Sequence, residues 1–214
     1  ERIAMMSFNV GRLGYEPVQG EQFFNQVIEK AAGIPGVESA GLTTNVPLWN
    51  GVGMLRTVLV EGRAPDDENN GILTPVCTVS ADYFKTMGIP IVMGRAVSAN
   101  DRPGAPNAVV VNESMAKRFW PNEEPLGKRF HFFGQDDIIR EVVGIAKDTK
   151  YQTVGEEPQT YVYIPRLQNY QPGMSLVLRS AGDPEPIMAT VRNEMQQLDR
   201  NLPITSVQTM PQIL

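Results

Sequence analysis

One cysteine and one histidine stand among 214 residues. A lone Cys77 excludes an intramolecular disulfide and a cysteine zinc site. A lone His131 excludes a multi-histidine metal centre within one chain. Long apolar runs are missing as well. The longest candidate, Ile89 to Met93, is interrupted by Pro90 and falls far short of the roughly 18 residues of a membrane helix. There is no basic excess: 19 Lys and Arg stand against 24 Asp and Glu, a formal charge of -5, which speaks against a nucleic-acid partner. The imbalance is even along the chain, so no acidic tail or basic arm stands out. No G-x-x-x-x-G-K-[ST] phosphate loop, no G-x-G-x-x-G after a strand and no G-x-S-x-G elbow occurs. A signal peptide is not evident, and the first residue is Glu1 rather than Met, so the chain reads as a piece of a longer protein.

The composition that remains, 42% hydrophobic and 20% charged, is that of an ordinary folded chain. Its order predicts a strand, helix, strand unit at each end. Arg2 to Val10 reads as a strand, and Phe24, Val27, Ile28 and Ala31 mark a helix over 18–32, stopped by Gly33, Pro35 and Gly36. Val37 to Thr44 reads as the next strand. At the other end, Met174 to Arg179 is a strand, Asp183 caps a helix with Pro184 in its first turn, and Ile204 to Gln208 is a final strand. The apolar face of that second helix is Ile187, Val191, Met195 and Leu198.

Two such units predict an α+β fold, with a split βαβ lobe assembled from both chain ends and a mixed α/β lobe inserted between them. The expected division is 1–73 plus 169–214 for the first lobe and 74–168 for the second. Within the middle, Met54 to Val60 and Thr74 to Val79 read as strands around the acidic turn Asp66, Asp67 and Glu68. Ser80 is the expected cap of a short helix through Tyr83, Phe84 and Met87, and Asn112 that of another through Met115, Ala116 and Phe119. Further strands are expected over Ala108 to Val111, Arg129 to Phe133, Ile138 to Ala146 and Thr160 to Ile164.

Few residues invite chemistry. His131 lies between Phe130 and Phe132 in a strand, without a motif around it, and reads as structural. The pairs Asp66-Asp67, Glu123-Glu124, Asp136-Asp137 and Glu156-Glu157 sit beside turn residues, and adjacent side chains diverge, so they read as solvated turns rather than acid/base couples. Cys77, among Val76 and Val79, reads as a buried small hydrophobe. Asn112-Glu113-Ser114 matches a glycosylation sequon, with the helix cap the preferred reading of Asn112. Val18 to Phe24 resembles an acylphosphatase loop, but Phe24 stands where that family has a phosphate-gripping arginine. Trp49 sits in a glycine-bearing loop and has two readings, a contact surface or a fold back onto its own domain. No catalytic, cofactor-binding or metal-binding residue is assigned.

The middle of the chain carries a longer signature. Tyr83-Phe84 is followed by Met87-Gly88-Ile89-Pro90, Gly94-Arg95 and Asp101. Asn112-Glu113, Ala116, Phe119, Pro121 and Pro125-Leu126-Gly127 come next, then Val142-Val143-Gly144-Ile145 with Asp148, and Glu157-Pro158 to Tyr163-Ile164-Pro165. In this order and spacing, with the early Ile34-Pro35-Gly36-Val37 and Pro47-Leu48, the chain resembles the periplasmic core domain of MacB-type ABC transporter permeases. One departure is Ala96-Val97, where such permeases often show an acidic residue and Phe.

The resemblance implies a non-catalytic domain facing the periplasm or cell exterior, with a porter-like lobe and an inserted Sabre-like lobe. It implies membrane helices of the same protein, a separate ATPase domain or subunit, a permease dimer and an adaptor as candidate partner, at the bacterial inner membrane. It implies no cofactor and no nucleic-acid partner. The rival readings are a secreted ligand-binding module and an acylphosphatase-like hydrolase.

Overall fold

A computed structural model describes residues 2–49, 53–64, 66–68, 70–151, 153 and 155–209. In chain order, β1 (Ile3–Asn9) runs through a short 3-10 turn into α1 (Pro17–Ala32) and β2 (Val37–Thr43). β3 (Met54–Val60), β4 (Ile72–Val79), α2 (Tyr83–Met87) and β5 (Ile91–Gly94) follow. Then come β6 (Ala108–Asn112), α3 (Glu113–Phe119), β7 (Arg129–Phe132), β8 (Arg140–Ala146) and β9 (Val162–Pro165). The chain closes with β10 (Gly173–Ser180), α4 (Pro184–Leu198) and β11 (Ile204–Thr209).

Local chemistry explains the ends of these elements. Pro17 and Pro184 occupy first turns, where a missing N–H costs nothing. The Gln19 side chain accepts from the Glu16 N–H, and the Asp183 side chain accepts from the Glu185 N–H. Gly88 ends α2 in the left-handed region at φ 70°. One expected cap is corrected. Ser80 does not cap α2; its buried hydroxyl instead accepts from the Leu42 N–H, stitching β2 to the turn after β4, while Asp82 stands at the start of α2.

Both end units form as their periodicity predicts, and they interleave. The sheet order β11-β1-β10-β2 is antiparallel throughout, with β10 lying between the parallel pair β1 and β2. α1 and α4 cover one face. Their residues Phe23, Phe24, Val27, Met188, Val191 and Met195 bury against Met6, Phe8, Leu42 and Leu176.

The other strands except β5 close into a ring, with β5 pairing outside it on β8. β4, β3, β7, β8, β6 and β9 pair in turn, and β9 returns to β4, giving a six-stranded mixed barrel. The β4–β9 and β6–β8 pairs are parallel and the others antiparallel. β3 lies within the expected first-lobe span 1–73, and its hydrogen-bonded partners are β4 and β7 of the barrel. Val58, Phe130, Phe132, Val109, Val142 and Val162 fill the interior. Met115, Phe119 and Trp120, in and just after α3, close one end.

A third core joins the two bodies. Ile3, Met5 and Val177 on the second face of the sheet pack with α2 and with Cys77, Val110, Ala146 and Tyr163 on the outer wall of the barrel. The strand β4 continues the join through its backbone, since Thr43 at the end of β2 pairs with Val79.

Candidate functional site: a polar joint between sheet and barrel

The joint core contains four tyrosines from three segments. The Tyr83 and Tyr151 hydroxyls lie 3.0 Å apart, and Tyr151 donates to Tyr163 at 3.0 Å. Tyr151 stacks on Tyr161 with centroids 4.0 Å apart, and Asn45 donates to the Tyr161 hydroxyl at 2.6 Å. Burial pushes the Tyr83 and Tyr151 hydroxyls well above their ordinary range, and those of Tyr161 and Tyr163 upward as well. Burial also raises the Cys77 thiol, whose sulfur lies 2.9 Å from the Thr43 hydroxyl. Every group here stays neutral at physiological pH. The cluster orients and packs.

Beside it, Asn112 and Asp148 form a knot. The Asn112 side chain accepts from the Met115 and Tyr161 N–H groups and donates to Asp148 at 2.6 Å and to the Gln159 carbonyl at 2.7 Å. Asp148 also accepts from the backbone N–H and the hydroxyl of Ser114. The ends of β6 and β8, the start of α3 and the approach to β9 are thus tied at one point. The expected cap at Asn112 forms, and its role extends well past capping.

A second tie is made by the segment that carries the chain from β9 back to β10. Arg166 is buried, pairs with Glu21 of α1, donates to Asn25 at 2.6 Å and lies over the Phe24 ring at 5.6 Å. Burial raises the Glu21 carboxyl despite its cation, and lowers Arg166. Asn169 donates to Thr78 at 2.7 Å, beside a cleft of about 340 Å³ lined by Asn9, Thr44, Met54, Thr78 and Gln171. Sequence reasoning missed Arg166; an arginine one residue past an apolar strand was its only signal.

The remaining candidates scatter. His131 points away from the barrel interior, 3.9 Å from the exposed Asp136. Glu123 pairs with Lys128 and Arg63, and Glu156 accepts from the Tyr151 N–H within its own loop. Asp66 and Asp67 lie in the β3–β4 turn. Among the described residues no three His, Cys, Asp or Glu groups converge on a metal position. Val18 to Phe24 lies inside α1, with Phe24 fully buried, so this stretch is not an anion loop. Trp49 packs against the joint core; its neighbours Asn50, Gly51 and Val52 lie outside the described residues. Two signature residues, Arg95 and Asp101, form a bidentate pair, at 2.8 and 2.7 Å.

Family comparison matches this geometry. The model of the MacB-like periplasmic core domain matches residues 6–196. An uncharacterised ABC transporter permease, YvrN of Bacillus subtilis strain 168, is 26% identical over 166 residues; the match covers 75% of this chain and 39% of that protein. The periplasmic region of MacB from Actinobacillus actinomycetemcomitans shares the fold, with a TM-score of 0.65 at 16% identity, covering 98% of this chain and 90% of that one. The extracellular domain of the noncanonic ABC-type transporter YknZ from Gram-positive bacteria gives 0.59 at 15% identity, covering 97% and 99%. A permease domain from Porphyromonas gingivalis gives 0.57 at 16%, covering 98% and 90%. With the family model matching residues 6–196, the chain belongs to the MacB-like periplasmic core domain family, an extracytoplasmic domain of ABC transporter permeases.

Proposed function

We propose that this domain relays movement of the permease's membrane helices to the space outside the membrane, where it acts on exported substrate or on a partner. The supporting observation is the way both ends of the chain meet the fold. The first and last strands are antiparallel neighbours, with Ala4 opposite Thr209, so a displacement applied at either end reaches one edge of one sheet. The joint core, the Asn112 knot and the Arg166 tie then carry that displacement into the barrel.

In this reading the four-stranded sheet with its two helices is the porter-like lobe and the inserted barrel is the Sabre-like lobe. β3 and the stretch from β4 to β9 make up the barrel side. ATP is hydrolysed by a separate domain or subunit, the intact permease works as a dimer in the inner membrane, and an adaptor outside the membrane is a candidate partner.

The native reading frame gives the direct test. Stretches of about 20 apolar residues on both flanks, with positive charge on their cytoplasmic sides, support the relay. A frame holding only a cleavable leader removes it and favours a secreted ligand-binding module. In the full-length permease, spin labels on α4 and on β7 should move together relative to the membrane when nucleotide is added.

A further inference from the structure

The outer wall of the barrel carries exposed apolar side chains. Val58, Val76 and Phe132 point into the barrel. Alternation along the strands therefore turns Leu55, Thr57, Leu73, Pro75 and Phe133 outward. In register, Leu55 stands opposite Pro75 and Thr57 opposite Leu73, and the Phe133 N–H donates to the Thr57 carbonyl at 2.9 Å. Leu73 and Phe133 thus flank Thr57 on its two sides, with Leu55 diagonal to both. Leu55, Leu73 and Phe133 are 43%, 57% and 73% exposed.

At Leu73 this strip runs into a cleft of about 550 Å³. Leu73 and Pro75 of β4 line one side, and Ser114, Lys117 and Arg118 of α3 line the other. Spacings of three and four put these α3 residues on one face of the helix, a different face from Met115 and Phe119, which seal the barrel. The approach to β9 lies between the two walls, because β9 pairs with β4 on one edge and with β6, which leads into α3, on the other. The cleft is therefore built by the barrel itself, at the end that α3 closes.

Its two cations have no acid partner. Around the same end of the barrel, Arg63 and Lys128 reach Glu123, and Arg129 reaches Glu61. Lys117 and Arg118 are exposed, and among the described residues neither lies within ion-pair distance of a carboxylate. The acids nearest in the chain are engaged elsewhere. Glu113, one turn before Lys117, accepts from the Asp148 N–H at 3.3 Å, and Asp148 accepts from Asn112 and from the N–H and hydroxyl of Ser114. In a chain with 24 acidic and 19 basic residues, two neighbouring cations left without a carboxylate, beside an exposed leucine, are a local exception.

We infer that this cleft binds a single anionic amphiphile, with its phosphate or carboxylate at Lys117 and Arg118 and its apolar part on Leu73, Pro75 and Leu55. A guanidinium beside an ammonium suits the oxygens of such a head group. Covering the exposed strip adds hydrophobic stabilisation that a bare ion does not gain. The concave shape, walled by β4 and α3, suits one molecule rather than a bilayer surface. The site does not depend on the relay function.

The test uses the 214-residue chain with octyl phosphate, inorganic phosphate, octyl glucoside, and vesicles of phosphatidylcholine containing phosphatidylglycerol. Octyl phosphate should raise the Tm saturably. It should bind about tenfold or more tightly than inorganic phosphate, which lacks the chain, and than octyl glucoside, which lacks the charge. Lys117→Gln combined with Arg118→Gln, both at exposed helix positions, should keep the circular dichroism and lose about tenfold in octyl phosphate affinity. Leu73→Ser should weaken octyl phosphate and leave inorganic phosphate unchanged. Arg192→Gln, an exposed cation on α4, should change neither. Full octyl phosphate affinity in the folded double variant overturns the site, as does absence of any saturable response. Equal affinity for inorganic phosphate, or full octyl phosphate affinity in Leu73→Ser, overturns the amphiphile. Sedimentation with the anionic vesicles without a saturable response to octyl phosphate would make Lys117 and Arg118 a membrane-facing charge and overturn the cleft.

Discussion

Gly144 is a glycine because Arg95 leaves no room for anything else. A Cβ there would stand 1.9 Å from the Arg95 carbonyl oxygen, and one at Gly94 would meet the Val143 carbonyl at 2.3 Å. β5 and β8 touch at these two residues. Gly144→Ala is therefore expected to cost at least about 1–3 kcal/mol, the range for overpacking a close contact. Gly127→Ala, at φ 77° with open space around it, should cost only the roughly 1–2 kcal/mol of left-handed backbone. Denaturant titration of both variants checks the contrast.

Asp101 offers a second test at this scale. Burial alone would raise its carboxyl, yet the bonds from Arg95 and Ser98 outweigh burial and hold it below the usual value. A carboxylate with a depressed folded pKa stabilises above its unfolded value, about 3.9, and loses that contribution as pH falls through the folded one. Asp101→Asn should cost about 1.5–3 kcal/mol at neutral pH, the scale of a charged hydrogen bond, and flatten the acid limb of the stability profile. A profile between pH 2 and 7 with the same slope as the parent protein would contradict this.

Among the elements, the longest were the most legible. α1 and α4 announce themselves through apolar spacing and a proline in the first turn, and β6 through an unbroken run of Val109, Val110 and Val111. β5 was invisible. It has four residues, follows Pro90, and exposes Val92 and Met93, so neither alternation nor burial marks it; only its pairing with β8 makes it a strand. Barrel closure was equally hidden, because it depends on β4 meeting β9, some 90 residues later, and no local pattern encodes a parallel partner. Asn112 was legible as a cap, but its bonds to Asp148 and Gln159 were not. Asn112→Ala should cost about 2 kcal/mol or more, the upper range for a cap, whereas Asn112→Ser, which keeps a capping oxygen, should recover only part of it. Thermal unfolding of the two variants separates the cap from the knot.

Across the whole molecule, the tie between Arg166 and Glu21 couples α1 to the returning segment. Glu21 is raised because burial outweighs its cation, so its ionised form is held at a cost. A raised carboxyl destabilises once pH climbs above its unfolded value, but Glu21→Gln relieves that only by stranding the buried Arg166 cation, so it should cost about 3–5 kcal/mol at pH 8. Arg166→Met, which strands the acid, should cost a similar amount. If sheet and barrel are held together here, Arg166→Met should also broaden the single unfolding transition or split it. A uniform loss of Tm with an unchanged transition width would assign Arg166 a merely local role.

The route of the chain through β2 and β10 has its own consequence. These strands are antiparallel neighbours, with Thr43 facing Ser175, and everything from β3 to β9 leaves and re-enters between them. In effect the barrel is a very large turn in an otherwise ordinary hairpin. A short tight turn could bridge the same gap and yield a miniature of two helices on four strands, provided Ile3, Met5 and Val177, now sealed by the barrel wall, were exchanged for polar residues. The gene for such a protein could have gained its barrel, or could lose it, in a single step without redrawing any strand of the sheet.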